Sequence, residues 1–273
     1  MKYQAYNLQD VKDASAQNKF TVISTFAGGG GSSTGYRLAG GNILCVNEFV
    51  EQARITYKEN YPDTIIMPDD IKQLTGKHFL ETAGIKEGEL DILDGSPPCS
   101  AFSMCGTLGK SGSKHSDGWG KTKKYSTGKT IENIEDLFFE YIRVAKDIKP
   151  KVIIGENVAG LDAGEAKQKK NQIFKAFEEI GYEVSYKILN SAYYGVPQSR
   201  RRLFFVAVRE DVLDKTDFLP MTIQNIFPIE NKEVVTAGDA LEGLELDPEE
   251  VKWCTDTWLE SAHYKDTASL MPD

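Results

Sequence analysis

The residues of this chain best suited to covalent chemistry lie in Asp94-Gly95-Ser96-Pro97-Pro98-Cys99-Ser100, where a cysteine follows a short apolar strand, Leu90 to Leu93, on two stiff prolines. Proline fixes φ and cannot donate to a ladder, so Pro97 and Pro98 end the strand and present Cys99 in a defined direction. The thiolate is the nucleophile, and at an ordinary pKa of about 8.5 only a few per cent of it exists at neutral pH. It needs an activating neighbour. A cysteine beside an apolar strand is otherwise a small buried hydrophobe, and the rest of the chain decides between the two.

Three further groups have the right types and spacing. Gly155-Glu156-Asn157-Val158 puts a carboxylate at the end of a later strand, Lys151 to Ile154; partly buried, such a glutamate holds a proton more tightly and acts as an acid at neutral pH. In Tyr194-Gly195-Val196-Pro197-Gln198-Ser199-Arg200-Arg201-Arg202, strand alternation puts Arg200 and Arg202 on one face, where they can clamp an anionic or carbonyl-bearing group. The run Gly28-Gly29-Gly30-Gly31 lets backbone approach a ligand closely, with a helix N-terminus behind it. It does not fit the dinucleotide fingerprint: Gly28 with Gly30 puts Ser33 at the third position, and Gly29 with Gly31 puts Thr34 there. Glu48, ending the second strand, is the acidic residue expected to hold ribose hydroxyls in an α/β nucleotide fold. A nucleoside ligand is therefore expected.

The elements that must position these groups alternate. Phe20 to Phe26, Asn42 to Asn47, Thr64 to Met67, Leu90 to Leu93, Lys151 to Ile154, Tyr182 to Leu189 and Arg202 to Val208 read as strands. Between them, Ser32-Ser33-Thr34 opens a helix, Val50 to Asn60 is another, and Ile131, Ile134, Leu137, Phe138, Tyr141, Ile142, Ala145 and Ile148 form one helical stripe stopped by Lys149-Pro150. A further helix carries Ile173, Phe174, Phe177 and Ile180, with Gly181 as its C-cap. The pattern predicts an α/β fold with a doubly wound, mainly parallel seven-stranded sheet, ligands lying outside the carboxyl ends of the strands and every candidate site at such an end. Residues 1–18 are expected to form an N-terminal extension, 19–212 the domain that carries the candidate groups, and 213–273, beyond the alternation, a separate region.

Composition narrows the class. A net charge of −9 over 273 residues argues against a protein that coats nucleic acid non-specifically. Charge is uneven, however: Lys110, Lys114, Lys121, Lys123, Lys124 and Lys129 crowd a loop just after Cys99, which points to a polyanionic substrate. Cys45, Cys99, Cys105 and Cys254 show no C-x-x-C pairing and only three histidines are present, so neither a zinc site nor a disulfide framework is expected. No apolar run approaches membrane-spanning length, and the polar start has no signal-peptide core, so a cytoplasmic protein is the expectation.

These pieces, in this order, resemble the carbon-5 cytosine methyltransferase family over roughly Thr21 to Arg209; the motifs are short singly and very specific jointly. The first motif is similar to Phe26-Ala27-Gly28-Gly29-Gly30-Gly31, the ribose contact to Glu48, the adenine contact to Asp70-Ile71, and the aromatic against the adenine face to Phe49. The Pro-Cys motif matches Pro98-Cys99, the Glu-Asn-Val motif Glu156-Asn157-Val158, and the Gln-x-Arg-x-Arg motif Gln198, Arg200 and Arg202. Leu137-Phe138-Phe139 resembles the helix start that closes over the cofactor. The resemblance implies an S-adenosylmethionine-dependent enzyme acting on double-stranded DNA, of the restriction-modification kind, with the target base flipped out of the helix. It implies Cys99, Glu156, Arg202 and Arg200 as catalytic residues. Phe26, Ala27, Gly28, Gly30, Gly31, Glu48, Phe49, Asp70, Ile71, Ser96, Pro98 and Leu137 would hold the cofactor. Ser100, Gln198 and the lysines Lys110, Lys114, Lys121, Lys123 and Lys124 would face nucleic acid.

The pattern departs from the family in places. Ser24 stands where many members have aspartate, and Ser100 where many have glutamine. Val235 to Leu241 looks like the lead-in to a target-recognition region, but no late motif follows it, so residues 213–273 read as an incomplete start of that region. A shortened chain, a second chain supplying the recognition region and C-terminal helix, and a degenerate copy that binds cofactor without turnover are all compatible with this. The expectation is that the chain alone binds cofactor weakly and methylates poorly. A tRNA cytosine methyltransferase and a non-catalytic cofactor- or nucleic-acid-binding module are the alternatives; a nicotinamide oxidoreductase is disfavoured by the missing fingerprint.

Overall fold

The computed structural model describes residues 5–98, 122–124, 130–132, 137–163, 166–214, 226–231 and 233–242. Runs rich in Val, Ile, Thr and Phe form nine strands there: β1 (Phe20–Thr25), β2 (Gly41–Asn47), β3 (Ile65–Met67), β4 (Ile92–Gly95), β5 (Thr122–Lys124), β6 (Thr130–Glu132), β7 (Val152–Val158), β8 (Tyr182–Asn190) and β9 (Arg201–Arg209). Seven of them make one sheet in the order β3-β2-β1-β4-β7-β9-β8, while β5 and β6 pair as a separate antiparallel hairpin. Neighbours in the large sheet are parallel except around β9, which runs antiparallel to both β7 and β8. This is the doubly wound, mainly parallel sheet that the alternation predicts.

Helices α1 (Leu8–Ser15), α2 (Gly31–Leu38), α3 (Glu51–Asn60), α4 (Gly76–Ala83), α5 (Leu137–Ile148), α6 (Ala166–Glu178), α7 (Glu210–Leu213) and α8 (Ala237–Leu241), with short 3-10 turns at Ile71–Gln73, Ala159–Asp162 and Ser191–Tyr194, complete the described elements. Two apolar cores hold them on the sheet. In one, Val22, Ile43 and Val46 of the sheet pack with Tyr57 of α3; in the other, Ile23, Leu93, Ile153, Leu203 and Phe205 pack with Phe79 of α4, Tyr141 of α5 and Phe177 of α6. Helix α5 shows why its sequence folds this way: Leu137, Phe138, Tyr141, Ile142, Val144, Ala145 and Ile148 are all buried, and the Tyr141 hydroxyl donates to the carbonyls of Leu93 at 2.9 Å and Ile154 at 3.1 Å. That phenol ties β4 to β7, the strand that leads to Pro97-Pro98 and the strand that carries Glu156.

Several boundaries differ from the sequence reading, each for a local reason. Strand β4 runs on through Asp94 and Gly95, because Gly95 still pairs with Thr25 and Gly155; the prolines end it, not Leu93. Strand β7 likewise continues to Val158, since β9 supplies a partner for every residue, so Glu156 lies within a strand and not after one. Ile131 belongs to β6 and not to the stripe of α5, which starts at Leu137; Ile134 lies outside the described residues. Thr122–Lys124 of the lysine-rich segment is a strand and not loop. Arg202 stands near the amino end of its strand, yet at the same sheet edge as the other candidates, because β9 is antiparallel. The N-terminal extension contains a helix: Asn7 and Asp10 form a capping box, Val11 is fully buried, and Ser15 Oγ donates to the Gly41 carbonyl at 2.8 Å.

Candidate active site

Strands β1 and β4 are neighbours whose onward connections leave toward opposite sides of the sheet, which opens a crevice at their carboxyl ends. Phe26, the first residue past β1, has φ +52°, a left-handed conformation that costs a non-glycine residue about 1–3 kcal/mol and marks functional turns. Gly30 has φ +97°, and a Cβ there would sit 3.1 Å from the Tyr57 ring, so only glycine lets the turn press against α3. Gly31 then opens α2. The Ala27 N–H donates to the Asn47 carbonyl at 3.2 Å, which fixes the turn to the end of β2.

Glu48 is 7% exposed and both its oxygens are engaged: Gly28 N–H donates to Oε2 at 2.8 Å and Val50 N–H to Oε1 at 2.7 Å. One carboxylate thus joins the glycine turn to the start of α3. The Asn47 amide donates to the carbonyls of Met67 at 3.0 Å and Asp69 at 2.9 Å, and the Arg54 guanidinium donates to those of Glu48 at 3.2 Å and Phe49 at 2.6 Å. With both strand ends held, a cleft of about 250 Å³ opens between Phe26, Gly28, Asn47, Glu48, Phe49, Val50, Ala53, Asp70, Ile71, Ser96, Pro98 and Leu137. Aromatic and aliphatic walls around a carboxylate suit a nucleoside: the walls take a purine face and the carboxylate a ribose diol. Phe26, Gly28, Glu48, Phe49, Asp70, Ile71, Ser96, Pro98 and Leu137, separated by up to 111 positions in sequence, all line this cleft. Ala27, Gly30 and Gly31 do not line the cleft; they build the turn beneath it. Sequence reasoning missed Asn47, Val50 and Ala53, and only their closeness in sequence to Glu48 could have flagged them.

The second half of the site lies between β4, β7 and β9. Asn157 is buried, and its Nδ2 donates to the Pro97 carbonyl at 3.1 Å while its Oδ1 accepts from Val158 N–H at 2.8 Å. The prolines that lead into position 99 are therefore held by β7. On the opposite face of that strand, Glu156 Oε1 pairs with Arg202 Nε at 2.8 Å and lies 4.0 Å from an Arg200 guanidinium nitrogen. A recess of about 280 Å³ is lined by Glu156, Leu189, Ser191, Tyr194, Val196, Arg200, Arg202 and Phe204. Burial pushes the Glu156 carboxyl above its ordinary pKa, and the Arg202 and Arg200 charges pull against that push. The result is a carboxyl held above its ordinary range beside two cations, at the mouth of a recess. Tyr194, Ser191, Leu189, Val196 and Phe204 were not singled out from sequence; β8 and its return bring them in.

Cys99, Ser100, Lys110, Lys114 and Lys121 lie outside the described residues, and Lys123 and Lys124 fall on β5. Gln198 is exposed, its N–H donates to the Val196 carbonyl at 2.8 Å, and it does not line the recess. Among the described residues, no cluster of three or more His, Cys, Asp or Glu could hold a metal ion, and no helix is long and apolar enough to cross a membrane.

A family model for C-5 cytosine-specific DNA methylase matches residues 20–271. The chain belongs to that family. Among curated methylase relatives, type II methyltransferase M.FnuDI of Fusobacterium nucleatum is 33% identical over 212 residues, 78% of this chain and 52% of its own length. M.Eco47II of Escherichia coli is 32% identical over 232 residues, 85% of this chain and 48% of its own length. The chain spans about half the length of the curated relatives it matches. The solved Dnmt2 methyltransferase of S. pombe shares the fold, with TM-score 0.56 at 20% identity over 88% of this chain and 65% of that one.

Proposed function

We propose that this methylase-family chain transfers a methyl group from S-adenosylmethionine to carbon 5 of cytosine in double-stranded DNA, through a covalent adduct between Cys99 and a flipped-out base. The observation that carries the reading is the placement of two pockets at one sheet edge: a cleft around Glu48, lined in part by Pro98 of the Pro97-Pro98 leader of Cys99, and a recess holding Glu156 with Arg202, with Pro97 tied to Asn157, the neighbour of Glu156. The names of the family and of the type II methyltransferases support DNA as substrate.

Phe26, Glu48, Phe49, Asp70, Ile71 and Leu137 would hold the cofactor, whose sulfonium supplies an electrophilic methyl group. Carbon 5 of cytosine is a poor nucleophile until the Cys99 thiolate adds to carbon 6, forming a carbon–sulfur bond and leaving carbon 5 enamine-like. Glu156 holds a proton against ring nitrogen 3 and accepts from the exocyclic amine, which favours the charge distribution of the adduct. Arg202 orients Glu156 and supports the base carbonyl oxygen, while Arg200 faces that site or a phosphate. After methylation, carbon 5 loses its proton to a base and the Cys99 thiolate departs, restoring the ring. Residues 19–212 are the catalytic and cofactor unit, and the lysine-rich segment after Cys99 and the exposed Gln198 face DNA. A target-recognition part, from residues beyond 213 or a second chain, selects the cytosine.

DNA containing 5-fluorocytosine tests this, because fluorine at carbon 5 blocks the final elimination. With cofactor present, a denaturation-resistant protein–DNA adduct is expected and should vanish in Cys99→Ser. No adduct even when a recognition region is supplied as a separate piece would overturn the proposal in favour of a binding module.

A further inference from the structure

Asp94 is a buried carboxylate that the scheme above leaves without a task. It is the third residue of β4, 8% exposed, and the register partner of Ser24 on β1. Ser24 Oγ donates to its Oδ2 at 2.7 Å, Ser32 Oγ to the same oxygen at 3.0 Å, and the Tyr36 hydroxyl to Oδ1 at 3.0 Å. Ser32 and Tyr36 both belong to α2, which has no acidic residue in its own first turn. The anion favoured at that helix end is thus supplied across the sheet, by β4. These donors are neutral hydroxyls, which satisfy a carboxylate without cancelling its charge as a guanidinium would.

The position of this charge is what matters. Thr25 Oγ1 donates to the Asp94 carbonyl at 3.1 Å, and Ser96, two residues on, lines the cofactor cleft and donates to the Phe26 carbonyl at 3.4 Å. Asp94 therefore stands two residues before a cleft-lining side chain, behind the lining itself. Burial pushes its carboxyl above the ordinary value, the hydroxyls of Ser24, Ser32 and Tyr36 pull it back, and nearby Glu156 adds to the push. Ser24 is also where the family resemblance leads one to expect aspartate. Here the carboxylate stands across the ladder.

We propose that Asp94 is a positioning residue for the methyl donor: it braces the glycine turn and α2 against β4, and its charge beneath the cleft makes the cationic sulfonium cofactor bind more tightly than the neutral thioether product. The inference rests on the cleft being the S-adenosylmethionine site.

Calorimetric titration of the full chain at pH 8 with S-adenosylmethionine and, separately, S-adenosylhomocysteine tests it. Asp94→Asn keeps the shape and removes the charge; it should weaken the sulfonium compound on the order of tenfold and the thioether by less than about threefold. The exchange variant Ser24→Asp/Asp94→Ser returns a carboxylate to the same hydroxyl cluster from the partner strand and should regain the preference. Equal weakening of both ligands, or no change, in folded Asp94→Asn would overturn the proposal. If Asp94→Asn fails to fold by circular dichroism, a folded exchange variant without the preference would overturn it. Wild-type chain that binds neither ligand would instead refute the cofactor reading itself, and this inference with it.

Discussion

Glu48→Gln changes one oxygen to nitrogen, and the structure says what that costs. Gly28 N–H and Val50 N–H are satisfied by different oxygens of the carboxylate, at 2.8 and 2.7 Å, in a residue 7% exposed. An amide offers one acceptor oxygen and turns two donors toward the other N–H. The variant loses one charge-assisted bond, about 1.5–3 kcal/mol, and leaves one buried N–H unpaired, about 1–3 kcal/mol. Because the glycine turn can relax, the two overlap and a net loss of about 2–4 kcal/mol is expected. In urea, with a slope of about 3 kcal/mol/M for a domain of this size, the midpoint should fall by about 1 M. Affinity for S-adenosylmethionine should fall at least about tenfold, since the same residue shapes the turn and, on the proposed function, faces the ligand. A midpoint within about 0.2 M of wild type, together with affinity within about threefold, would refute the reasoning.

Other outcomes follow from single contacts. Gly155→Ala would bring a Cβ to 1.9 Å from Phe205 Cζ, so thermal unfolding should show a loss of about 3 kcal/mol, partly regained with Phe205→Leu. Asn157→Ala frees the Pro97 carbonyl now held at 3.1 Å; steady-state kinetics should show kcat down about tenfold to a hundredfold with cofactor affinity within about threefold of wild type. Although burial pushes Asp91 upward, hydrogen bonds from Lys151 and Thr21 hold its carboxyl below the ordinary range. Its contribution is therefore present above about pH 4 and lost as pH falls through the lower folded value, so stability between about pH 4 and pH 2 should decline less steeply in Asp91→Asn than in wild type.

The sheet was legible because strand and helix periods alternate over most of the chain; of the cleft residues, strand-end position marked Glu48, while Phe49, Asp70, Ile71 and Leu137 came only from the family resemblance. What escaped the sequence depends on pairing. Glu156 was expected past a strand end, yet β9 extends the ladder over it; no local pattern in Gly155-Glu156-Asn157-Val158 announces an antiparallel partner 44 to 50 positions later. Ile131 fell into a helical stripe because i, i+3 spacing over Ile131, Ile134 and Leu137 arises by chance as readily as by design. The hydroxyl cluster around Asp94 joins residues 58 to 70 positions apart, a relation only the register of β1 and β4 creates. Asn157 carried a motif but no task until its amide was seen on Pro97.

On the proposed function, this site makes 5-methylcytosine through Cys99. The direct measurement is mass spectrometry of nucleosides from DNA incubated with the chain, a recognition region and S-adenosylmethionine bearing a deuterated methyl group. The account predicts labelled 5-methyldeoxycytidine from wild type, a drop on the order of a hundredfold or more in Glu156→Gln, and none from Cys99→Ser. Label on an exocyclic nitrogen of cytosine or adenine, or undiminished 5-methyldeoxycytidine from Cys99→Ser, would contradict it.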